Sequence, residues 1–82
     1  MTLQDIHPTS ETWTRCTAGM RWFAAYRIDI HHGQHVAVLS RWTDAIVDPR
    51  QTMLRPQPTR VQAVWAVRQL LVRLGYQMEG AL

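Results

Sequence analysis

Eighty-two residues leave room for one domain with one modest core. A hydrophobic share of 46% is too high for a disordered chain, yet no uninterrupted apolar run approaches the roughly 20 residues a membrane-spanning helix needs. The formal net charge is +3, every basic residue is arginine, and the single cysteine, Cys16, excludes an intramolecular disulfide.

Residues 1–10 include Pro8, Thr9 and Ser10 and read as an irregular arm. They lack the basic and apolar regions of a signal peptide, so a cytoplasmic location is expected. Residues 11–17 alternate around Trp13 and are rich in threonine, which suits a strand. Ala18-Gly19 reads as a turn. Residues 20–42 carry the clearest β signal, broken at Gly33. Met20, Trp22, Ala24, Tyr26, Ile28 and Ile30 share one strand face; Arg21, Phe23, Ala25, Arg27, Asp29 and His31 share the other.

The hairpin register follows from the loop. A three-residue loop, His31-His32-Gly33, pairs Ile28 with Val36, Tyr26 with Val38, Ala24 with Ser40 and Trp22 with Trp42. A two-residue loop at His32-Gly33 pairs Ile28 with Ala37 instead and sets Val36 and Val38 opposite Asp29 and Arg27. The first gives one clean apolar face and is the expected register. It also places Phe23 among Arg21, Arg27 and Arg41 on the outer face, and Asp29 opposite His35.

Ala45-Ile46-Val47 reads as either a short fourth strand or one helical turn. Arg55-Pro56-Gln57-Pro58 is stiff and extended, because closely spaced prolines exclude helix. Thr59, with Gln62 three residues on, opens a helix over 60–74, and Gly75 supplies its C-cap. Residues 76–82 read as a tail in which Tyr76 packs back on the helix end.

Charge and hydropathy are unevenly placed. Residues 1–48 hold four arginines and five acids; residues 49–78 hold five arginines and no acid. At about 100° per residue, the apolar side chains of the helix cover an arc of roughly 220°, twice the width a single buried seam requires. Arg68 falls inside that arc, between Val64 and Val72. It must therefore find a carboxylate, reach the edge of the apolar surface, or face a partner. Trp65, Arg68, Leu71 and Val72 are the candidate partner-binding residues, whether for a second copy or for another protein. The runner-up is nucleic-acid binding through Arg50, Arg55, Arg60 and Arg73, since each phosphate contact favours a basic segment of this kind.

Catalytic and metal chemistry have little to stand on. His31, His32 and His35 cluster at the hairpin tip with His7 and Cys16 elsewhere, but their spacing follows no structural zinc pattern. Cys16 has no flanking histidine and reads as a small filler. The carboxylates form no legible acid–base pair, and no nucleotide-binding, zinc-protease or nucleophile-elbow motif is present. No cofactor, metal or catalytic residue is assigned.

These elements give an α+β fold: one domain over 1–82, with an antiparallel sheet of three strands (four if 45–47 adds one) covered by one C-terminal helix. The order strand, strand, strand, helix resembles in outline the double-stranded RNA-binding domain and the arm-site DNA-binding domain of phage integrases. The resemblance is one of element order. Where those families place a lysine cluster before the helix, this chain has Arg55-Pro56-Gln57-Pro58-Thr59-Arg60, and no residues are carried over. The expected function is a small regulatory or adaptor protein, a homodimer or a binder of another protein, without catalysis.

Overall fold

The computed structural model describes residues 11–45 and 49–79. The irregular arm expected over 1–10 lies outside these residues, as do two of the three residues at 45–47. The described elements are β1 (Thr12–Thr17), β2 (Met20–His31), β3 (Gln34–Trp42), β4 (Arg50–Met53), α1 (Arg60–Arg73) and β5 (Gln77–Glu79). They build one five-stranded antiparallel sheet in the order β4-β3-β2-β1-β5, with α1 over β2 and β3.

The expectation of three or four strands is thus corrected to five. β4 was missed because its four residues are all exposed at the sheet edge and show no apolar alternation. The edge pairing continues past the strand: the Leu54 amide donates to Ala37 at 2.9 Å, and Gln57 exchanges two 2.8 Å bonds with His35. Pro56 and Pro58 flank Gln57 at positions whose amides would point away from β3, where a missing donor costs nothing. β5 lies in the stretch expected to be a tail. Its signal is brief, the alternation Tyr76-Gln77-Met78-Glu79, and it pairs with the free edge of β1. Strands on both sides of the presumed three also break the βββα outline of the nucleic-acid-binding families.

The hairpin register also differs from the expected one. Ile28 faces Ala37, Tyr26 faces Leu39 and Phe23 faces Trp42. The turn is the two-residue one, with His32 at φ 51° and Gly33 at φ 76°, the left-handed pair of a type I′ turn whose twist matches the strands it joins. Ala18 and Gly19 repeat the same geometry between β1 and β2. The hydropathy argument failed because it allowed only one buried face. Ala24, Tyr26, Ala37 and Leu39 meet the helix, while Val36 and Val38 are also buried, on the opposite face. An ordinary L-residue is strained by left-handed backbone at about 1–2 kcal/mol. Ala18→Asn should therefore raise the unfolding free energy by about 0.5–1 kcal/mol in urea denaturation; no change would mean the turn tolerates alanine without strain.

α1 begins and ends where its caps dictate. The Thr59 hydroxyl oxygen accepts the Gln62 amide at 3.2 Å. At the other end Gly75 takes φ 91°. Its amide donates to Val72 at 3.0 Å and the Tyr76 amide to Leu71 at 2.9 Å, the bond pair of a Schellman motif. That motif turns Tyr76 inward. It joins Trp13, Ala24, Tyr26, Ala37, Leu39, Val67 and Leu71 in one core cluster.

Candidate interaction surface

The apolar arc of α1 divides into two. Ala63, Val67 and Leu71 are buried against the sheet, with Val64, Leu70 and Leu74 packed at the margins of the core. Val61, Trp65 and Val72 lie on the other part of the arc, 77%, 65% and 61% exposed. With Arg68 they recur at intervals of four, three and four residues, the spacing of a coiled-coil seam. Of the four residues assigned to partner binding, Trp65 and Val72 therefore lie on the outward stripe. Leu71 does not: it is completely buried and belongs to the chain's own core. The angular argument correctly found more apolar surface than a seam needs, but could not say which part the sheet would take.

Arg68 resolves its position by finding a carboxylate. Its guanidinium forks onto Glu11, with Nε donating to Oε1 at 3.3 Å and Nη2 donating to Oε2. The Trp13 indole N–H donates to the same carboxylate at 3.1 Å. Glu11 is buried, whereas the Arg68 side chain remains 47% exposed. Burial alone would push the Glu11 carboxyl up; the donors from Arg68 and Trp13 outweigh it and hold the pKa below the ordinary value. The Tyr26 hydroxyl is buried beside this group and supports the carboxylate electrostatically without the geometry of a full hydrogen bond. Burial, and next the Glu11 carboxylate, push the tyrosine's own pKa up. Glu11 in turn raises that of Arg68. The pair anchors α1 to the start of β1 and holds the Arg68 stem along the outward stripe. A groove of about 300 Å³ runs there, lined by Arg60, Val61, Val64, Trp65 and Arg68.

The arginines assigned to nucleic acid are dispersed. Arg60 lines the groove on α1; Arg73 is exposed in the last helical turn; Arg55 is exposed beyond β4. Arg50 instead lines a separate cavity with Arg15, Trp22, Arg41 and Tyr76. The corrected register explains why. Arg41 pairs with Ala24 and Arg50, which puts it on the helix side of the sheet, away from Phe23. Phe23 stacks on Trp42 instead, with ring centroids 6.0 Å apart, and the Arg21 guanidinium lies 5.5 Å from its ring centroid. The sequence signal for Arg41 was its parity, usable only once the turn length is known.

The remaining candidates are separated from one another. Asp29 bonds Arg27 at 3.1 and 3.2 Å and faces Val36, not His35 as expected. Cys16 is exposed on β1. Among the described residues, no group of three or more His, Cys, Asp or Glu side chains converges, and no helix is long and apolar enough to cross a membrane. No protein-family model, curated protein or solved structure matches the chain.

Proposed function

We propose that this protein is a non-catalytic adaptor that binds protein through the outward stripe of α1, in its simplest form a second copy of itself. The observation that carries the reading is the exposure of Val61, Trp65 and Val72 on one helix face. Apolar side chains this exposed gain from leaving water, and tryptophan beside arginine is the composition of binding hot spots. If a dimer removed about 400 Å² of apolar surface, the gain would be about 10 kcal/mol at 25 cal/mol per Å². Association costs of about 4–15 kcal/mol consume most of it, so the expected dimer is weak.

Charge sharpens the test. α1 carries Arg60, Arg68 and Arg73 and no acid. Arg68 is neutralised by Glu11, so the repulsion between two copies on this face comes from Arg60 and is modest; added salt relieves it by screening and strengthens association slightly. Nucleic-acid binding, the second reading, rests on the same excess of arginine and is weakened by salt. Sedimentation equilibrium at two salt concentrations, with and without a random-sequence duplex, separates them. The expected result is concentration-dependent self-association that rises with salt and is lost in Trp65→Ser/Val72→Ser, with the fold intact by circular dichroism. A chain that stays monomeric at every concentration would overturn the dimer, and salt-sensitive duplex binding would shift the reading to nucleic acid.

A further inference from the structure

Three ion pairs join arginines to carboxylates among the described residues, and the other six arginines have no carboxylate partner there. Arg21 pairs with Glu79 at 3.2 Å, Arg27 with Asp29 at 3.1 Å, and Arg68 with Glu11. Arg41 and Arg50 have no such partner among the described residues, yet they sit directly opposite each other on β3 and β4. Like charges placed in cross-strand register destabilise a sheet. Arg15 brings a third guanidinium to the same cavity of about 200 Å³, whose lining contains no carboxylate among the described residues.

The three arginines differ in how far the fold explains them. Arg15 has structural work: Nη1 donates to the Leu74 carbonyl at 2.6 Å, Nε to the Thr17 hydroxyl at 3.0 Å, and the guanidinium lies 5.5 Å from the Tyr76 ring centroid. It thereby caps the negative end of α1. Arg41 has none of this. Its Nε is closed off from solvent and makes no hydrogen bond within the described fold. Arg41 as a whole is half-buried, so the cost falls on this one N–H, a kind of donor that folded proteins rarely leave without an acceptor.

We propose that the cavity between Arg15, Arg41 and Arg50 binds a phosphate dianion. Guanidinium forks match the oxygens of a phosphate, which can take several at once. A dianion held by the terminal guanidinium nitrogens would turn the repulsion between Arg41 and Arg50 into a clamp; the Arg41 Nε–H, closed to solvent, would reach it only if the side chain turned. The volume lies below the roughly 300–1,000 Å³ typical of pockets for drug-sized ligands, which suits one phosphate group, with any organic remainder lying outside beside Trp22. This site is on a different part of the molecule from the α1 stripe and shares no lining residue with the groove there.

The test is titration of the full chain with inorganic phosphate, followed by ³¹P resonance and by thermal unfolding, with sodium chloride adjusted to hold ionic strength constant. A second arm uses phenyl phosphate, a monoester with a planar ring. The expected result is saturable binding of one phosphate per chain, weakened at least about tenfold by Arg41→Gln or Arg50→Gln and unchanged by Arg73→Gln. Tighter binding of the monoester identifies an organic phosphate as the source; equal binding identifies the free anion. Without phosphate, Arg50→Gln should be at least as stable as the parent, because the exchange removes repulsion and no bond. The proposal is overturned if phosphate does no more than chloride at equal ionic strength, or if both glutamine variants bind it as the parent does.

Discussion

Leu71→Ala is expected to lower the unfolding free energy by about 2–5 kcal/mol, while Val72→Ala, one residue along, should change it by no more than about 0.5 kcal/mol. Leu71 is fully buried among Trp13, Tyr26, Leu39, Val67 and Tyr76, so truncation loses its transfer energy and leaves a cavity beneath the helix. Val72 points outward on the exposed stripe and has little to lose in the folded monomer. The difference is large for this chain. At about 0.05–0.15 kcal/mol per residue, a domain of this length has roughly 4–12 kcal/mol in total, and Leu71→Ala would remove a substantial part. Urea denaturation followed by far-ultraviolet circular dichroism at low protein concentration measures both variants. Equal destabilisation by the two would mean that the helix does not lie on the sheet in this rotation.

The same pair of residues shows what the sequence could and could not reveal. Local chemistry marked the helix at both ends: Thr59 acts through its hydroxyl acceptor and Gly75 through backbone freedom, neither of which needs knowledge of the rest of the fold. The positions of the two turns, at Ala18-Gly19 and Gly33, were legible for the same reason, although the second is one residue shorter than expected. Which part of the helix meets the sheet is a tertiary fact, and hydropathy scores Leu71 and Val72 alike. A usable hint was Arg68. A charge tolerates a half-exposed position more readily than a core one, so the stripe that contains it, with Val61, Trp65 and Val72, was the one to turn outward. Register failed through the premise of a single buried face, which Val36 and Val38 contradict. That one-residue slip sent Arg41 to the wrong side, and the unexpected β4 hid its pairing with Arg50. β4 and β5 are short edge strands held largely by backbone bonds, and backbone bonds leave little trace in side-chain pattern.

Arg68→Ala is expected to invert the contribution of Glu11 to the pH dependence of stability. In the parent, the Glu11 carboxyl titrates below its ordinary value of 4.5. The ionised form is therefore favoured by folding; its contribution is fully present above the unfolded value and disappears as pH falls through the folded one. Removing Arg68 takes away the forked partner and leaves burial as the largest influence, with the Trp13 N–H and the Tyr26 hydroxyl among the remaining supports. The folded pKa then rises above the unfolded value, and the protonated carboxyl becomes the form that folding prefers. At pH 7 the variant should be about 1–3 kcal/mol less stable than the parent. This is less than the roughly 3–5 kcal/mol for breaking a fully buried pair, because Arg68 is half in solvent. Part of that deficit should return between pH 7 and pH 4.5, over the range in which the buried carboxylate takes up a proton. Glu11→Gln serves as the reference: it has no carboxylate to titrate, and the Arg68 it leaves behind can hydrate. Unfolding free energies of the three proteins at pH 7 and pH 4.5 decide the matter, since the other carboxylates are common to all and cancel in the differences. A deficit in Arg68→Ala that is constant across that range would show that the Glu11 pKa does not rise above its unfolded value when Arg68 is removed.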